Sequence, residues 1–284
     1  MKIGIGYPAY IPWMKPQEFT SWARKAEENN FSSLGTIDRL VYRNYEAMIA
    51  LTAAAAVTQR IRLMTTVLLA PLRNTAVLAK QAATLDAISG GRLTLGLGIG
   101  GRQDDFAAAE VPFEHRGTYF ARQLERMKRI WNGQPVEEGL GTIGPSPARE
   151  GGPEILIGGY SQQSLKRVGR YADGFISGGM ADPAQVKQLY QFALDSWQQQ
   201  GRPGTPRFVG SIYVALGPSA ENGREYLQDY YGTFPVTLQT TPQEVEDTAR
   251  VMADVGVQEL MLWVTVPELD QVDRIAEVAA KVSS

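Results

Sequence analysis

The chain has 284 residues, 28 Lys+Arg against 30 Asp+Glu, one histidine and no cysteine. The missing cysteines exclude disulfides, iron–sulfur clusters, Cys-ligated zinc and thiol nucleophiles, and a lone His115 excludes multi-histidine metal sites. A net charge of -2 lacks the basic surplus of a nucleic-acid binder, and no apolar run approaches the roughly 18–20 residues that span a membrane.

The chain opens Met1-Lys2-Ile3-Gly4-Ile5-Gly6, which reads as a strand rather than a secretory leader. A soluble cytoplasmic protein is therefore expected, with no membrane or nucleic-acid partner. Ile3–Tyr7 is the first strand, followed by a helix over Pro16–Asn30 with Phe19, Trp22, Ala23 and Ala26 at helical spacing. Ser33–Ile37 is a second strand and Asn44–Gln59 an Ala-rich helix. Ile61–Leu69 is a buried strand. The helix Ala76–Ile88 stops at Ser89-Gly90-Gly91. Leu93–Ile99 is a strand alternating with glycine, Asp104 and Asp105 begin a helix, and Arg116–Trp131 is a long amphipathic one. Asn132–Pro153 is rich in Gly, Pro and Glu and reads as a surface loop. Beyond it come strands at Glu154–Ile157, Gly174–Ser177, Arg207–Ala215 and Glu259–Val264. They are separated by helices at Ser161–Tyr171, Pro183–Gln200, Ala220–Tyr231 and Pro242–Val255, and Leu269–Val282 closes the chain.

Eight strands alternating with helices imply parallel pairing through right-handed crossovers. The count favours a TIM (β/α)8 barrel over an open sheet. An open nucleotide-binding sheet would carry G-x-G-x-x-G after its first strand, where Gly4 and Gly6 have no third partner. A barrel of this type takes about 250 residues, so 1–284 is expected to form one domain.

In a parallel barrel, function gathers at the C-terminal ends of the strands. Those positions hold no Lys, no His and no second acid to face Asp38. Schiff-base, metal-assisted and paired-carboxylate chemistry are disfavoured accordingly. The ends are rich in glycine, hydroxyls and aromatics instead. Gly158-Gly159-x-Ser161 opens a helix, and Ser177-Gly178-Gly179 follows the next strand. A single Gly pair is usually just a turn, but two on consecutive strands resemble a phosphate cradle of backbone N–H groups at a helix N-terminus. Tyr7, Tyr10, Trp13, Tyr42, Tyr45 and Trp263 are candidates to wall a ring-binding pocket, with ordinary core packing as their other reading. Trp22, Trp131 and Trp197 read as structural, and His115 as a surface or capping residue.

Ala79-Lys80-Gln81-Ala82-Ala83-Thr84-Leu85-Asp86, with Ser89-Gly90-Gly91-Arg92-Leu93-Thr94-Leu95-Gly96-Leu97-Gly98-Ile99-Gly100, closely resembles the luciferase-like flavin-dependent oxidoreductases. So do Arg116-Gly117 followed by Trp131, Ile155-Leu156-Ile157-Gly158-Gly159 and Ala172-Asp173-Gly174-Phe175. The resemblance runs along essentially the whole chain. It implies a barrel that holds reduced FMN or the deazaflavin coenzyme F420 at its mouth, to oxygenate or reduce a small organic substrate. It further implies a homodimer and, for an oxygenase, a separate reductase. By the same resemblance, Thr66–Val67 carries a non-prolyl cis peptide beneath the ring. Asp38, Thr66, Val67, Gly98 and Gly100 match positions around the ring, and Gly158, Gly159, Ser177, Gly178 and Gly179 positions around the phosphate; strand-end position adds Tyr7 to the first set and Ser161 to the second. Asp38 and Arg39 are the catalytic candidates.

Two positions depart from the family's pattern. Arg39 stands where several members have a histidine, and Arg122 where the long helix usually carries a glutamate. Two other readings stay open on residues alone: a non-catalytic flavin-binding barrel, and a flavin-independent barrel enzyme acting on a phosphorylated substrate.

Overall fold

The computed structural model describes residues 1–8, 14–179, 182–232 and 236–283. The elements follow in chain order as β1 (Lys2–Gly6), α1 (Pro16–Glu28), β2 (Ser33–Thr36), α2 (Ala47–Val57), β3 (Arg62–Leu69), α3 (Thr75–Ile88) and β4 (Leu93–Gly98). After them come α4 (Gln103–Ala108), α5 (Arg116–Trp131), β5 (Glu154–Gly158), α6 (Gln162–Tyr171), β6 (Gly174–Ile176), α7 (Pro183–Gln199) and β7 (Arg207–Val214). The last are α8 (Asn222–Tyr231), β8 (Leu238–Gln239), α9 (Pro242–Asp254), β9 (Glu259–Val264) and α10 (Gln271–Ser283).

All strand pairs are parallel. The order β6-β5-β4-β3-β2-β1-β9-β7 closes through a β6–β7 pairing, which gives an eight-stranded (β/α)8 barrel. The two-residue β8 is an addition that the sequence pattern does not signal, because two residues carry no period. It pairs with Tyr213 and Val214. The opposite edge of those residues is taken by β9, so β8 occupies the edge of β7 that β6 leaves free beyond Val209. Helix starts follow local chemistry. Glu46 accepts from Ile49 N at 2.8 Å and sets the start of α2 later than the Ala-rich pattern suggests. Asn74 caps α3 and Ser161 caps α6, while Thr241 and Glu244 form a reciprocal capping box on α9. Such caps contribute about 1 kcal/mol each.

The period of two along a strand sorts side chains into barrel interior and helix-facing sides. On β9 this puts Glu259, Met261 and Trp263 on one face at successive heights. At the lower end Glu259, 1% exposed, accepts from Ser32 and Ser33 hydroxyls at 2.5 and 2.6 Å and pairs with Arg207. Arg207 also pairs with Glu154, which takes Arg62 at 2.7 Å and the Thr94 hydroxyl at 2.8 Å. An ionic chain thus plugs the N-terminal end of the barrel, the face that serves stability in this architecture. Above it, a Cβ on Gly4 would collide with Met261, and one on Gly6 with the Trp263 indole. Glycine in β1 is therefore what admits two large side chains from the neighbouring strand, and Trp263 ends up at the floor of the C-terminal mouth.

Burial raises the Glu259 pKa, but Arg207 and the two serines outweigh it and hold the carboxyl below its ordinary value of 4.5. A depressed folded-state pKa contributes stability above the unfolded value that is lost as pH falls through the folded one. Replacing one partner of a buried pair leaves an uncompensated charge and costs about 3–5 kcal/mol. Arg207→Leu is expected to lose stability of that order at pH 7, measured by denaturant unfolding. Its deficit relative to the parent should shrink below pH 4.5; a deficit independent of pH would contradict the role given to this network.

Candidate active site

The C-terminal ends of the strands enclose a cavity of about 670 Å³, within the roughly 300–1,000 Å³ of small-molecule pockets. Its floor is built at β3. The Thr66–Val67 peptide is cis, as the family resemblance implies, and the β3–β4 register shifts between Thr65 and Leu68. Thr66 and Val67 both line the cavity. Val67 sits between two bare backbones: a Cβ on Gly98 would lie 2.7 Å from its Cγ2, and one on Gly158 2.7 Å from its Cγ1. Gly98 itself is not among the lining residues; it acts by making room for the side chain that is. Thr66 Oγ1 donates to Thr36 O at 3.1 Å, so its hydroxyl hydrogen is engaged and its oxygen remains an acceptor.

The glycine-rich turns form one wall. Gly158, Gly159, Ser161, Ser177, Gly178 and Gly179 all line the cavity, as does Ser164. Ser161 Oγ accepts from Ser164 N at 3.2 Å and shares a hydrogen bond with Ser164 Oγ at 3.0 Å, which orients the first turn of α6. A Cβ on Gly159 would lie 2.6 Å from Ser164 Cβ, and one on Gly179 2.6 Å from the Tyr213 ring. The Ser177 hydroxyl is buried without a hydrogen-bond partner among the described residues. A buried orphan hydroxyl is unusual. Here it adjoins bare glycine backbone and a helix N-terminus, whose dipole and free N–H groups favour an anion. Donor chemistry and the place of these residues in the cavity wall together fit a phosphate.

Asp38 and Arg39, the expected catalytic pair, line the cavity but face different partners. Asp38 takes Arg73 in a two-pronged pair at 2.7 and 2.9 Å and accepts from Leu69 N at 2.8 Å. Arg39 donates to Asp105 at 3.1 Å and to Asp104 at 3.0 Å, with side-chain exposures of 7% for Arg39 and 1% for Asp105. Asp105 also accepts from Leu40 N and Val41 N at 3.0 and 2.7 Å. The Arg39 guanidinium carbon lies 5.7 Å from the Tyr42 ring centre and 5.8 Å from that of Tyr230. Both charges are closed within the protein, so each is placed to hold a strand end or loop in position.

The aromatic wall differs from the expected one. Trp263 lines the cavity, but Tyr7 does not. Tyr7 is fully buried, stacks on Phe19 at 4.1 Å and has no hydroxyl partner among the described residues; its burial outside the lining corrects its assignment to the ring. Tyr45 packs on the far side of Phe19. Tyr42 packs edge-on against Tyr230 at 4.8 Å. Tyr10 and Trp13 lie outside the described residues. Among the described residues the lining aromatics are Tyr160, Tyr213, Tyr230, Tyr231 and Trp263. Two of them come from α8, which is fastened over the mouth. Asp229 accepts from Tyr42 at 2.6 Å and Arg43 at 3.1 Å, Arg102 donates to Tyr230 O at 2.6 Å, and the Tyr213 and Tyr231 hydroxyls pair. Burial raises the pKa of Tyr230 and of Tyr231, so both phenols stay neutral near pH 7. In the sequence, the Tyr-Tyr pair ending a short helix in an irregular stretch is the available signal for this wall. Gly100 lines the cavity at φ +74° and accepts from Arg116 at 3.0 Å. His115 and Arg122 are exposed and lie outside the lining.

The sequence profile of the luciferase-like monooxygenases matches residues 3–281, and the chain belongs to that family. An uncharacterised protein of Mycobacterium tuberculosis is 32% identical over 174 residues, 59% of this chain and 61% of the relative. An F420-dependent glucose-6-phosphate dehydrogenase of Nocardia farcinica is 31% identical over 224 residues, 73% of this chain and 66% of that enzyme. The crystal structure of the monooxygenase RslO1 from Streptomyces bottropensis superposes with a TM-score of 0.83 at 22% identity, covering 99% of this chain and 98% of that one. No described helix is long and apolar enough to cross a membrane.

The Arg39–Asp105 pair gives a direct check. Arg39→Met leaves the Asp105 carboxylate buried without its counter-charge and is expected to lower stability by about 3 kcal/mol, read by chemical denaturation. Unchanged stability with a large loss of turnover would show instead that Arg39 is free to act on the reacting atoms.

Proposed function

We propose that this protein is an oxidoreductase that holds reduced FMN or coenzyme F420 in the barrel mouth and uses it on a small organic substrate. The observation that carries the reading is the cradle: a buried Ser177 hydroxyl with no partner among the described residues, beside Gly158, Gly159, Gly178 and Gly179 and the start of α6. Family membership and the named cofactor of the Nocardia relative support the same choice. Ser161, Ser177 and the adjoining backbone would hold the phosphate, with Thr66, Val67 and Gly100 beneath and beside the ring.

When bound, a reduced flavin or deazaflavin supplies the electron pair that no side chain here can furnish. The protein's part is placement and exclusion of water. Val67, wedged between Gly98 and Gly158, sets the floor. The Asp38–Arg73 pair ties the end of β2 to that of β3. Arg39 and Asp105 fix the loop that faces Tyr230. Asp38 and Arg39 therefore act as positioning residues.

Ser177→Ala removes a hydroxyl that has no hydrogen-bond partner among the described residues, so stability should be preserved. A lost hydrogen bond to a charged group amounts to about 1.5–3 kcal/mol, so the dissociation constant of the bound cofactor should rise by at least about tenfold. Gly159→Val should abolish binding, because its side chain would collide with Ser164 and displace the first turn of α6 that forms the cradle. Equilibrium titration of each variant with FMN and with F420 tests both; affinities equal to the parent's would refute the assignment.

A further inference from the structure

We infer that the half of the mouth facing the cradle takes an uncharged, largely apolar small molecule and rejects anions such as sugar phosphates. The inference rests on the cofactor reading, because it assigns the cradle to the cofactor's own phosphate.

The cavity is divided by strand order. The cradle lies at the ends of β5 and β6, whereas β2, β1 and β9 run along the other side of the closed sheet. On that side and on the adjoining ends of β3 and β4 the lining is Ile37, Val67, Leu69, Ile99, Trp263 and Tyr230. Among the described residues four charged ones also reach the cavity: Asp38, Arg39, Arg102 and Asp105. Three of them are neutralised before any ligand arrives. Asp38 is held by Arg73, and Arg39 and Asp105 are held by one another. Arg102 directs one amine to Tyr230 O at 2.6 Å, at the C-terminal end of α8, and lies over the Tyr230 ring at 5.8 Å. Its charge thus complements the helix dipole and secures the wall.

An anion entering this half would find Arg102 as its one counter-charge among the described lining residues, set beside two clusters that each carry an extra carboxylate, Arg73 with Asp38 and Glu46 and Arg39 with Asp104 and Asp105; leaving water for that excess of negative charge is strongly unfavourable. An uncharged molecule meets no such cost. It gains contact with Trp263 and the aliphatic groups, and an acceptor at Thr66 Oγ1, whose hydrogen is turned to Thr36. Among the described residues the cradle is the one place in the lining where bare backbone and an unpartnered buried hydroxyl meet. With the cofactor seated, a second phosphate has no equivalent place. This separates the chain from the Nocardia relative, whose name specifies glucose 6-phosphate.

The test uses the purified protein, first titrated with FMN and F420 and then loaded with whichever binds. Binding of two probes matched in size, cyclohexylmethanol and cyclohexanecarboxylate, is measured by calorimetry on the loaded protein, with glucose 6-phosphate as competitor. The alcohol is expected to bind at least about tenfold more tightly than the carboxylate, and glucose 6-phosphate should not displace it. Carboxylate binding as tight as that of the alcohol, or displacement by glucose 6-phosphate, would overturn the inference while leaving the cofactor reading intact. If neither cofactor binds, the same titration on the cofactor-free protein applies. The alcohol's preference would then uphold the uncharged half and refute only the cofactor reading, and its absence would refute both.

Discussion

Val67 occupies space that exists only because residues 98 and 158 have no side chains. A Cβ at either position would come within 2.7 Å of one of its methyl groups, closer than packed atoms approach. The shape of the mouth depends on this fit. It lets the cis Thr66–Val67 segment bulge into the cavity while the β4 and β5 backbones pass close on either side. The same device recurs on the opposite side of the barrel, where Gly6 clears the Trp263 indole. The floor is therefore formed by one aliphatic and one aromatic side chain, each seated in room left by glycine on neighbouring strands.

On this floor the protein has placed little reactivity of its own. The acid and the guanidinium that the strand ends offer, Asp38 and Arg39, are bound to Arg73 and Asp105. Two of the phenols that wall the mouth, Tyr230 and Tyr231, have their pKa raised further by burial. What remains available is geometry, apolar surface and one set of anion-binding donors. Such a mouth suits a cofactor that brings its own electrons, with the side chains orienting it and excluding water. The ionic chain from Arg62 to Glu259 sits at the far end of the barrel, where charge can serve stability without entering the chemistry.

The barrel was legible because its signals are periodic: strand runs of period two, helices of period 3.6, and glycine pairs at successive strand ends. The Gly158–Ser161 and Ser177–Gly179 turns could be located for the same reason, since the end of a strand is also the place where a cradle must lie. The Thr66–Val67 cis bond came from resemblance, because nothing in Leu-Met-Thr-Thr-Val-Leu-Leu marks an isomer. What escaped sequence reasoning is what depends on distant partners. Tyr7 follows the first strand, yet it turns beneath the mouth to stack on Phe19. Arg39 shows its pairing only when α4 brings Asp105 across 66 positions of sequence. Tyr230 and Tyr231 lie in a stretch whose pattern indicates a short helix, and no local feature reveals that Asp229, Arg102 and Tyr213 fasten it over the cavity.

The central claim is that a flavin-type ring rests in this mouth, over Val67 and in the cavity that Trp263 also lines. Indole emission reports on it directly, because a redox ring held in the same cavity quenches a nearby tryptophan. Emission of the parent and of Trp263→Phe should be followed during titration with FMN and with F420. The account predicts saturable quenching by at least one of the two, with most of the amplitude lost in the variant while that cofactor still binds. Saturable binding with the same quenching in both proteins, or no saturation with either cofactor, would contradict it.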